Sequence, residues 1–310
     1  VTLDAKILAA GLQQRKLGWN FDLNVAANEN RVLSLGSTNE FFRSISYKNV
    51  AKDQIIVRAG EPLGTWYGYV TDGIFQYGDP DLEKFTSVQG MTPAAGDWKY
   101  KDMNNDRKID ENDRVILGNS QPLFYGGFST GFTYSGFELR AIFTYSYGAK
   151  LFNANRIEGE DMSGANNRMG AVRNRWVGPD WQTDALGNVL LENGAPIAIS
   201  GTGHASNSVP RAGYASTYQL QDNFIEDGSY LRLSTLRLSY TFPKSLTRKM
   251  HMKNFQVYFT AQNLFLWTPY TGSDPEVNID PNGYGNIIMG YDYDAYPRSR
   301  MFTFGLNFSF

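Results

Sequence analysis

Alternation of apolar and polar residues is the dominant pattern of this chain. Over residues 18–28, the apolar side chains of Trp19, Phe21 and Leu23 are separated by polar ones. A period of two puts successive side chains on opposite faces of a β-strand. The pattern therefore predicts strands with one apolar and one polar face. It recurs in nine segments, which are residues 1–10, 18–28, 53–59, 65–76, 124–134, 137–147, 229–241, 255–261 and 302–310.

One of these segments changes phase along its length. Apolar residues occupy odd positions up to Leu233 and even positions from Leu236 onwards. An extra residue that is left unpaired would return both halves to the same face of a sheet. We therefore predict a β-bulge near Ser234 and Thr235.

The connections between the segments are alternately short and long. Ser135 and Gly136 form a two-residue hairpin turn, and residues 60–64 form a second short turn with glycine and proline. The connection 148–228 is far longer than the roughly 15 residues that soluble domains usually allow. This alternation is typical of a transmembrane β-barrel, with short periplasmic turns and long outer loops. We expect 60–64 on the periplasmic side, and a short helix at 169–176 within the long loop.

The predicted fold is all-β, and more specifically part of an antiparallel transmembrane β-barrel with long extracellular loops. Single-chain bacterial barrels use even numbers of strands, whereas nine segments are found here. We therefore expect this chain to pair with further strands and not to close by itself. Alternation alone also fits a soluble β-sandwich, whose apolar faces meet in a core.

Composition narrows the possible functions. The chain has 29 Lys and Arg against 31 Asp and Glu, and this balance argues against nucleic acid as a partner. It has no cysteine, so thiolate metal sites and cysteine nucleophiles are excluded. Neither His204 nor His251 lies beside a recognisable catalytic motif. We expect that the protein is not an enzyme.

Several stretches resemble a known family when they are taken in order. They are GEPLGTWYGYVTDGIFQ at 60–76, the acidic segment 96–119, PLFYGG at 122–127, DGSYLRL at 227–233, TAQNL at 260–264 and PRSR at 297–300. Together they resemble the SusC/RagA family of TonB-dependent outer-membrane transporters. The resemblance implies that residues 1–310 are the C-terminal portion of a barrel, contributing about nine of roughly 22 strands. The plug domain of the family is not found in this chain.

The resemblance also implies a function, a location and partners. The function would be uptake of an oligosaccharide or peptide across the outer membrane of a Gram-negative bacterium. The implied partners are a SusD-like surface lipoprotein, the TonB complex through the missing plug, the remaining barrel strands and outer-membrane lipid. The alternative, from another class, is a soluble all-β protein that binds or hydrolyses carbohydrate.

An acidic segment within residues 97–118 has the ligand spacing of an EF-hand. Oxygen donors fall at loop positions 1, 3, 5, 7, 9 and 12, and are provided by Asp102, Asn104, Asp106, the carbonyl of Lys108, Asp110 and Asp113. Arg107 replaces the usual glycine, at a cost of about 1 kcal/mol in a left-handed conformation, and Asp113 replaces the usual glutamate. We expect a structural Ca²⁺ ion in this loop. The alternative is a solvated turn rich in Asp and Asn.

The chain ends in an alternating aromatic run that finishes at Phe310. This ending resembles the signal read by the barrel-assembly machinery, although it also fits a half-buried last strand. Two further sets of side chains could contact a substrate. The first set lies in the long loop, where the rings would either stack on sugars or pack the loop against itself. These residues are Trp176, Trp181, Tyr214 and Tyr218. The second set lies on the polar face, and we expect its charges to neutralise one another across a water-filled lumen. These residues are Glu138, Arg140, Arg232 and Arg237.

Overall fold

The computed structural model describes residues 2–8, 17–45, 53–88, 90–162, 167–213, 219–279, 287 and 289–310. These residues form strands β1 (Thr2–Leu8), β2 (Gly18–Ala26), β3 (Glu40–Arg43), β4 (Ile55–Arg58), β5 (Thr65–Gly68), β6 (Thr71–Ile74), β7 (Ser87–Val88), β8 (Trp98–Tyr100), β9 (Lys108–Ile109), β10 (Val115–Asn119), β11 (Phe124–Tyr134), β12 (Phe137–Tyr147), β13 (Lys150–Asn153), β14 (Leu191–Glu192), β15 (Ala195–Pro196), β16 (Ile225–Asp227), β17 (Tyr230–Thr241), β18 (Asn254–Trp267), β19 (Tyr291–Asp292) and β20 (Met301–Ser309). The predicted all-β class is confirmed.

Helices are few and short in the described residues. The α-helices are α1 (Asp81–Lys84), α2 (Ala154–Glu160) and α3 (Lys244–Thr247), and the 3-10 helices are Glu111–Asp113, Gly170–Asn174, Asp222–Phe224 and Arg248–Met250. The helix predicted at 169–176 is therefore a 3-10 turn. Among the described residues, no helix is both long and apolar enough to cross a membrane.

The largest sheet has seven strands, and we call it the main sheet. Its order is β1, β2, β11, β12, β17, β18 and β20, and every neighbouring pair is antiparallel. Strands that are adjacent in the main sheet therefore also follow one another along the chain, when the strands of the smaller sheets are left out. The sheet is open in the described residues, because no pairing joins β1 to β20.

The turn and the bulge predicted for this sheet are both present. Ser135 and Gly136 connect β11 to β12 with φ values of 48° and 89°, which a two-residue hairpin of type I′ requires. In β17, Leu233 and Thr235 are paired while Ser234 is skipped on both sides. The skipped residue keeps the leucines on both sides of it on the same face.

Two of the nine predicted strands do not belong to the main sheet. Segments 53–59 and 65–76 contribute β4, β5 and β6, and β4 and β5 lie in a separate sheet of order β10, β5, β4, β3. Ile55, Ile56 and Val57 are all buried in succession, so β4 is covered on both faces. A strand in a membrane wall would bury alternate residues only, and the prediction was wrong for this reason.

The sequence predicts the turn at 60–64 among the short periplasmic turns, but the structure places it at the opposite end of the main sheet. It falls inside the connection 27–123, which links β2 to β11. The remaining long connections are 148–229 and 268–300, whereas the short ones are 9–17, 135–136 and 242–253. Because the strands alternate in direction, all three long connections leave from the same end of the main sheet. We call this end the loop end.

The long connections have cores of their own. One apolar cluster contains Trp66, Phe152, Phe224 and Tyr291 from three different connections. A second contains Phe75, Trp98 and Ile109. The stretch 60–76 links the two clusters, because Trp66 belongs to the first and Tyr69, Ile74 and Phe75 to the second. The loop end is therefore a packed unit that is continuous with the sheet.

Candidate functional site

The two faces of the main sheet differ as the alternation predicts. From β2 to β20, the residues paired in register on one face are apolar in all six strands. The pairs include Trp19 with Phe132, Leu23 with Phe128, Phe128 with Phe143, Phe143 with Leu233, Leu238 with Phe259, Phe259 with Phe304 and Val257 with Leu306. The rings of Phe128 and Phe143 stack with centroids 4.5 Å apart. We call this the apolar face. Much of it is uncovered, and Phe304 is 82% exposed.

The opposite face, which we call the polar face, has hydrogen-bonding and charged side chains. Ser129 donates to Asp22 across paired strands at 2.9 Å. Arg140 and Arg237 stand directly opposite each other in register. The guanidinium of Arg237 lies 4.5 Å from the ring centroid of Tyr258. A face of this composition is compatible with water and not with a dry protein core.

Arg232 is a charged residue of the polar face that is buried. Its Nη2 donates to Asp274 Oδ1 at 2.6 Å, and its Nε lies 2.8 Å from Glu276 Oε2. Arg298 Nη1 contacts the same Glu276 oxygen at 3.1 Å. The prediction that the polar-face arginines and Glu138 would neutralise one another was wrong for Arg232, since its partners come from the connection 268–300.

The acidic loop has the backbone conformation that its spacing requires. Arg107 has a φ of 66°, in the left-handed region where glycine is usual. Ile109 is buried in the second apolar cluster and pairs with Val88, as expected for the apolar anchor of the loop. The carboxylate of Asp102 accepts hydrogen bonds from the backbone N–H groups of Asn105 and Arg107, at 2.7 Å and 2.8 Å.

The carboxylates of this loop are also occupied by other backbone donors. Asp106 accepts from Lys108 N at 2.8 Å. Asp113 is fully buried and accepts from Met103 N and Asp110 N, each at 2.8 Å. Within the described residues, no three Asp, Glu, His or Cys side chains are grouped closely enough to hold a metal ion. The donor set is one that Ca²⁺ prefers, and calcium binding stays a prediction.

The loop aromatics that the structure describes pack against the protein. Trp176 packs on the second apolar cluster and donates from Nε1 to Gln76 Oε1 at 3.0 Å. Trp181 lies against Tyr77, with ring centroids 4.9 Å apart. These contacts favour the packing role for both tryptophans. Tyr214 and Tyr218 lie outside the described residues.

The histidine of this loop, His204, is engaged by a side chain of the same loop, because its Nε2 lies 2.7 Å from Asn174 Oδ1.

A buried charged cluster at the loop end was missed by the sequence analysis. Arg156 Nε contacts Glu160 Oε1 at 2.7 Å, and its Nη1 contacts Glu226 Oε1 at 3.2 Å. Glu226 also accepts from Asn153 Nδ2 at 3.1 Å and from the backbone N–H of Thr271 at 2.8 Å. The only sequence signal is the spacing of four between Arg156 and Glu160, which is common on solvated helices.

Burial shifts the pKa values of the side chains in this cluster. It raises the pKa of Glu160, and the nearby Arg156 offsets this only in part. Burial also acts to lower the pKa of Arg156, but the contacts with Glu160 and Glu226 outweigh it and leave that pKa raised. The pKa of Tyr270 is raised by burial and by its hydrogen bond to Asp292. Arg156 thus remains a cation that is shared between two carboxylates.

Comparison with known proteins finds relatives of one kind, the TonB-dependent receptors. The chain is 29% identical over 295 residues to TonB-dependent receptor P3 of Formosa agariphila, covering 94% of this chain and 27% of that protein. It is 23% identical over 312 residues to TonB-dependent receptor SusC of Bacteroides thetaiotaomicron, covering 99% of this chain and 26% of that protein. No protein-family model matches it. The chain therefore spans about a quarter of the length of these curated relatives.

Solved structures agree with this fold. The structure described as the RagAB peptide transporter matches with a TM-score of 0.65 and 21% identity, covering 100% of this chain and 28% of that chain. A RagAB peptide importer in its closed-closed state matches with a TM-score of 0.62. The resemblance indicated by the motifs is confirmed, and the relatives are receptors and transporters, not enzymes.

Proposed function

Because this chain is a relative of the TonB-dependent receptors of the SusC/RagA type, we propose that it forms part of the wall and outer loops of an outer-membrane importer in a Gram-negative bacterium. The full-length protein would take up an oligosaccharide or peptide. The main sheet would be a section of the barrel wall. The three long connections would lie outside the cell, where substrate is first met.

The observation that supports this proposal most directly is the exposed apolar face. It extends across the six strands from β2 to β20 in the main sheet, and each of these contains between nine and fourteen residues. A transmembrane strand needs about 9 to 11 residues. A water-exposed apolar surface of this extent is not tolerated by a soluble monomer, whereas lipid would cover it without cost. The polar face would line the aqueous passage.

Partners follow from the same arrangement. Both edge strands of the main sheet are available for pairing, so we infer that further strands of the same protein complete the wall. A SusD-like surface lipoprotein would sit over the packed loop end. TonB would act through a plug domain elsewhere in the full-length protein. The acidic loop, with its Ca²⁺ ion, would help to hold the outer loops in shape.

Cysteine labelling tests the orientation of the sheet cleanly, because this chain has no native cysteine. Phe259 and Thr260 are adjacent in β18 but belong to opposite faces, since Phe259 pairs with Phe304 and Thr260 with Thr303. In the full-length protein, with any other cysteines replaced, we expect a water-soluble thiol reagent to modify Thr260→Cys and not Phe259→Cys. An apolar reagent that partitions into the bilayer should show the opposite preference.

Two results would contradict the proposal. One is equal labelling of both positions by the water-soluble reagent. The other is recovery of the full-length protein in a soluble fraction without detergent, which would favour the soluble carbohydrate-binding alternative. Recovery in the outer-membrane fraction with face-specific labelling supports a wall section. Uptake of a labelled substrate by cells then tests import itself.

A further inference from the structure

A large cavity at the loop end has no assigned role. Its volume is about 1030 Å³, and it is lined by α2 with Asn153, by residues 271–273 and by residues 294–297. These segments come from two of the long connections. One follows β12, while the others follow β18 and precede β20. The cavity is therefore built by parts of the chain that leave the main sheet at the same end.

The ion pair of Arg232 indicates on which side of the sheet this cavity lies. Arg232 is paired in register with Thr144. Thr144 belongs to the polar face, because its neighbour Phe143 is on the apolar face. Asp274 is bonded to Arg232, and it directly follows the lining residues 271–273. This connection therefore folds over the polar face, so the cavity opens where a substrate would approach the passage.

Negative charge predominates in the cavity. Its charged lining residues are Arg156, Glu158, Glu160 and Asp294. Arg156 is already engaged by Glu160 and by Glu226, which lies behind the lining. Arg168, whose Nη1 donates to the backbone carbonyl of Glu158 at 3.1 Å, is a second cation beside the cavity. These two cations face the carboxylates of Glu158, Glu160, Glu226 and Asp294. The local field favours a positively charged ligand over a neutral or anionic one.

Two buried acceptor atoms in this lining have no hydrogen-bond partner among the described residues. They are Oε2 of Glu160 and Oδ1 of Asn153. The two residues are 5% and 1% exposed. A buried acceptor without a donor costs free energy, so these two atoms favour a ligand group that donates N–H or O–H bonds. A primary ammonium has three donors and the matching charge.

The rim adds two features. Tyr296 is 92% exposed, which leaves its ring free to contact a ligand stem or a cation. Asp294 has a φ of 52°, and its backbone N–H donates to Asn155 Oδ1 at 2.7 Å. A non-glycine residue held in the left-handed region is uncommon and is frequently found at functional sites. The rim carboxylate is thus held in position by the helix that also contains Glu160.

We propose that this cavity binds the side-chain ammonium of a lysine residue in a short peptide that the transporter imports. The proposal rests on the proposed function and names its substrate class. Glu160 is only 5% exposed, so a ligand must extend a slender group to reach its carboxylate. Lysine presents its ammonium on a flexible four-carbon stem. The ammonium of an amino sugar is fixed directly to a bulky ring, and it fits this depth less well.

Binding to the purified full-length protein tests the proposal. The probes are acetyl-Ala-Lys-Ala-amide and the same peptide with an acetylated lysine, which lacks only the charge. We expect the charged peptide to bind roughly tenfold more tightly or better, as charge-assisted hydrogen bonds imply. Glu160→Gln should abolish this preference. Asp294→Asn, at the exposed rim, should reduce it. Glu192→Gln, an exposed acid in β14, is the matched control and should change nothing.

The outcomes separate this proposal from the proposed function. Equal binding of the two peptides overturns the lysine site, although outer-membrane location and uptake of a neutral peptide would still support an importer. Binding of a glucosamine trimer in place of both peptides overturns the peptide class. If the wild type prefers the lysine peptide but Glu160→Gln and Asp294→Asn both keep this preference unchanged, lysine binds elsewhere and the proposed site is wrong. Failure of face-specific cysteine labelling is a separate result that contradicts the importer itself.

Discussion

Arg232 and Asp274 form a buried ion pair that ties the connection 268–300 to the polar face of the main sheet. Nη2 of Arg232 lies 2.6 Å from Oδ1 of Asp274, and the two side chains are 4% and 7% exposed. Both residues are therefore removed from water, and Asp274 depends on Arg232 for charge compensation, while Arg232 is also contacted by Glu276. The pair fixes where this connection crosses the loop end, and it thereby positions one wall of the acidic cavity.

Breaking this pair from one side should release the connection. We expect Arg232→Met to destabilise the loop end by about 3 to 5 kcal/mol, because Asp274 is left as a buried unpaired charge. Adding Asp274→Leu should recover much of the loss. Limited proteolysis of the full-length protein within 268–279 measures the effect. Arg237→Met, on the same strand and face but exposed, is the control, and equal cleavage of the two single variants would contradict the anchoring role.

A charge on the apolar face should destabilise the assembled protein. Phe259 lies in β18, next to the edge strand β20, and its ring centroid is 4.8 Å from that of Phe304. We expect Phe259→Arg to cost roughly 2 to 4 kcal/mol in a bilayer. Asn307→Arg, on the polar face opposite Gln256, should cost little. Equilibrium unfolding from lipid vesicles compares the two variants. Similar losses would mean that the faces are wrongly assigned.

Calcium should protect the acidic loop. We expect proteolysis within 97–118 to become faster when a chelator removes Ca²⁺ from the wild-type protein, because the ion would cross-link Asp102, Asp106 and Asp110. Asp102→Ala combined with Asp106→Ala should be cleaved fast with or without chelator. Glu111→Gln should behave like the wild type. If chelator leaves wild-type cleavage unchanged, the backbone donors alone stabilise the loop, and the alternative of an Asx turn is correct.

Trp66 should be essential for the packed loop end. It is fully buried, donates from Nε1 to Lys150 O at 2.9 Å and packs edge-on against Phe152. Trp66→Ala should destabilise this unit by about 3 to 5 kcal/mol through the cavity that it leaves. Hydrogen exchange of β4 and β13 measures the local loss. Trp181→Ala, which removes a less buried ring, should have a small effect. Equal exchange in both variants would contradict a core role for Trp66.

Local pattern was sufficient to predict the main sheet. Alternation identified all seven of its strands, and the change of phase before Leu236 identified the bulge at Ser234. Ser135 and Gly136 identified a two-residue hairpin turn, and their φ values in the structure then give the turn type. These features depend on side-chain period and on backbone sterics. Both properties are present in a short stretch of sequence before any tertiary contact forms.

Tertiary structure alone decided the rest. Ile55 to Val57 look like a wall strand in sequence, but contacts with the other connections bury both of their faces. Arg232 obtains its partner Asp274 from 42 positions away, and Glu226 meets Arg156 across 70 positions. Charge compensation between distant residues has no period, so alternation cannot reveal it. The unpaired acceptors of Glu160 and Asn153 exist only because folding buries them together, and the same is true of the cavity that they line.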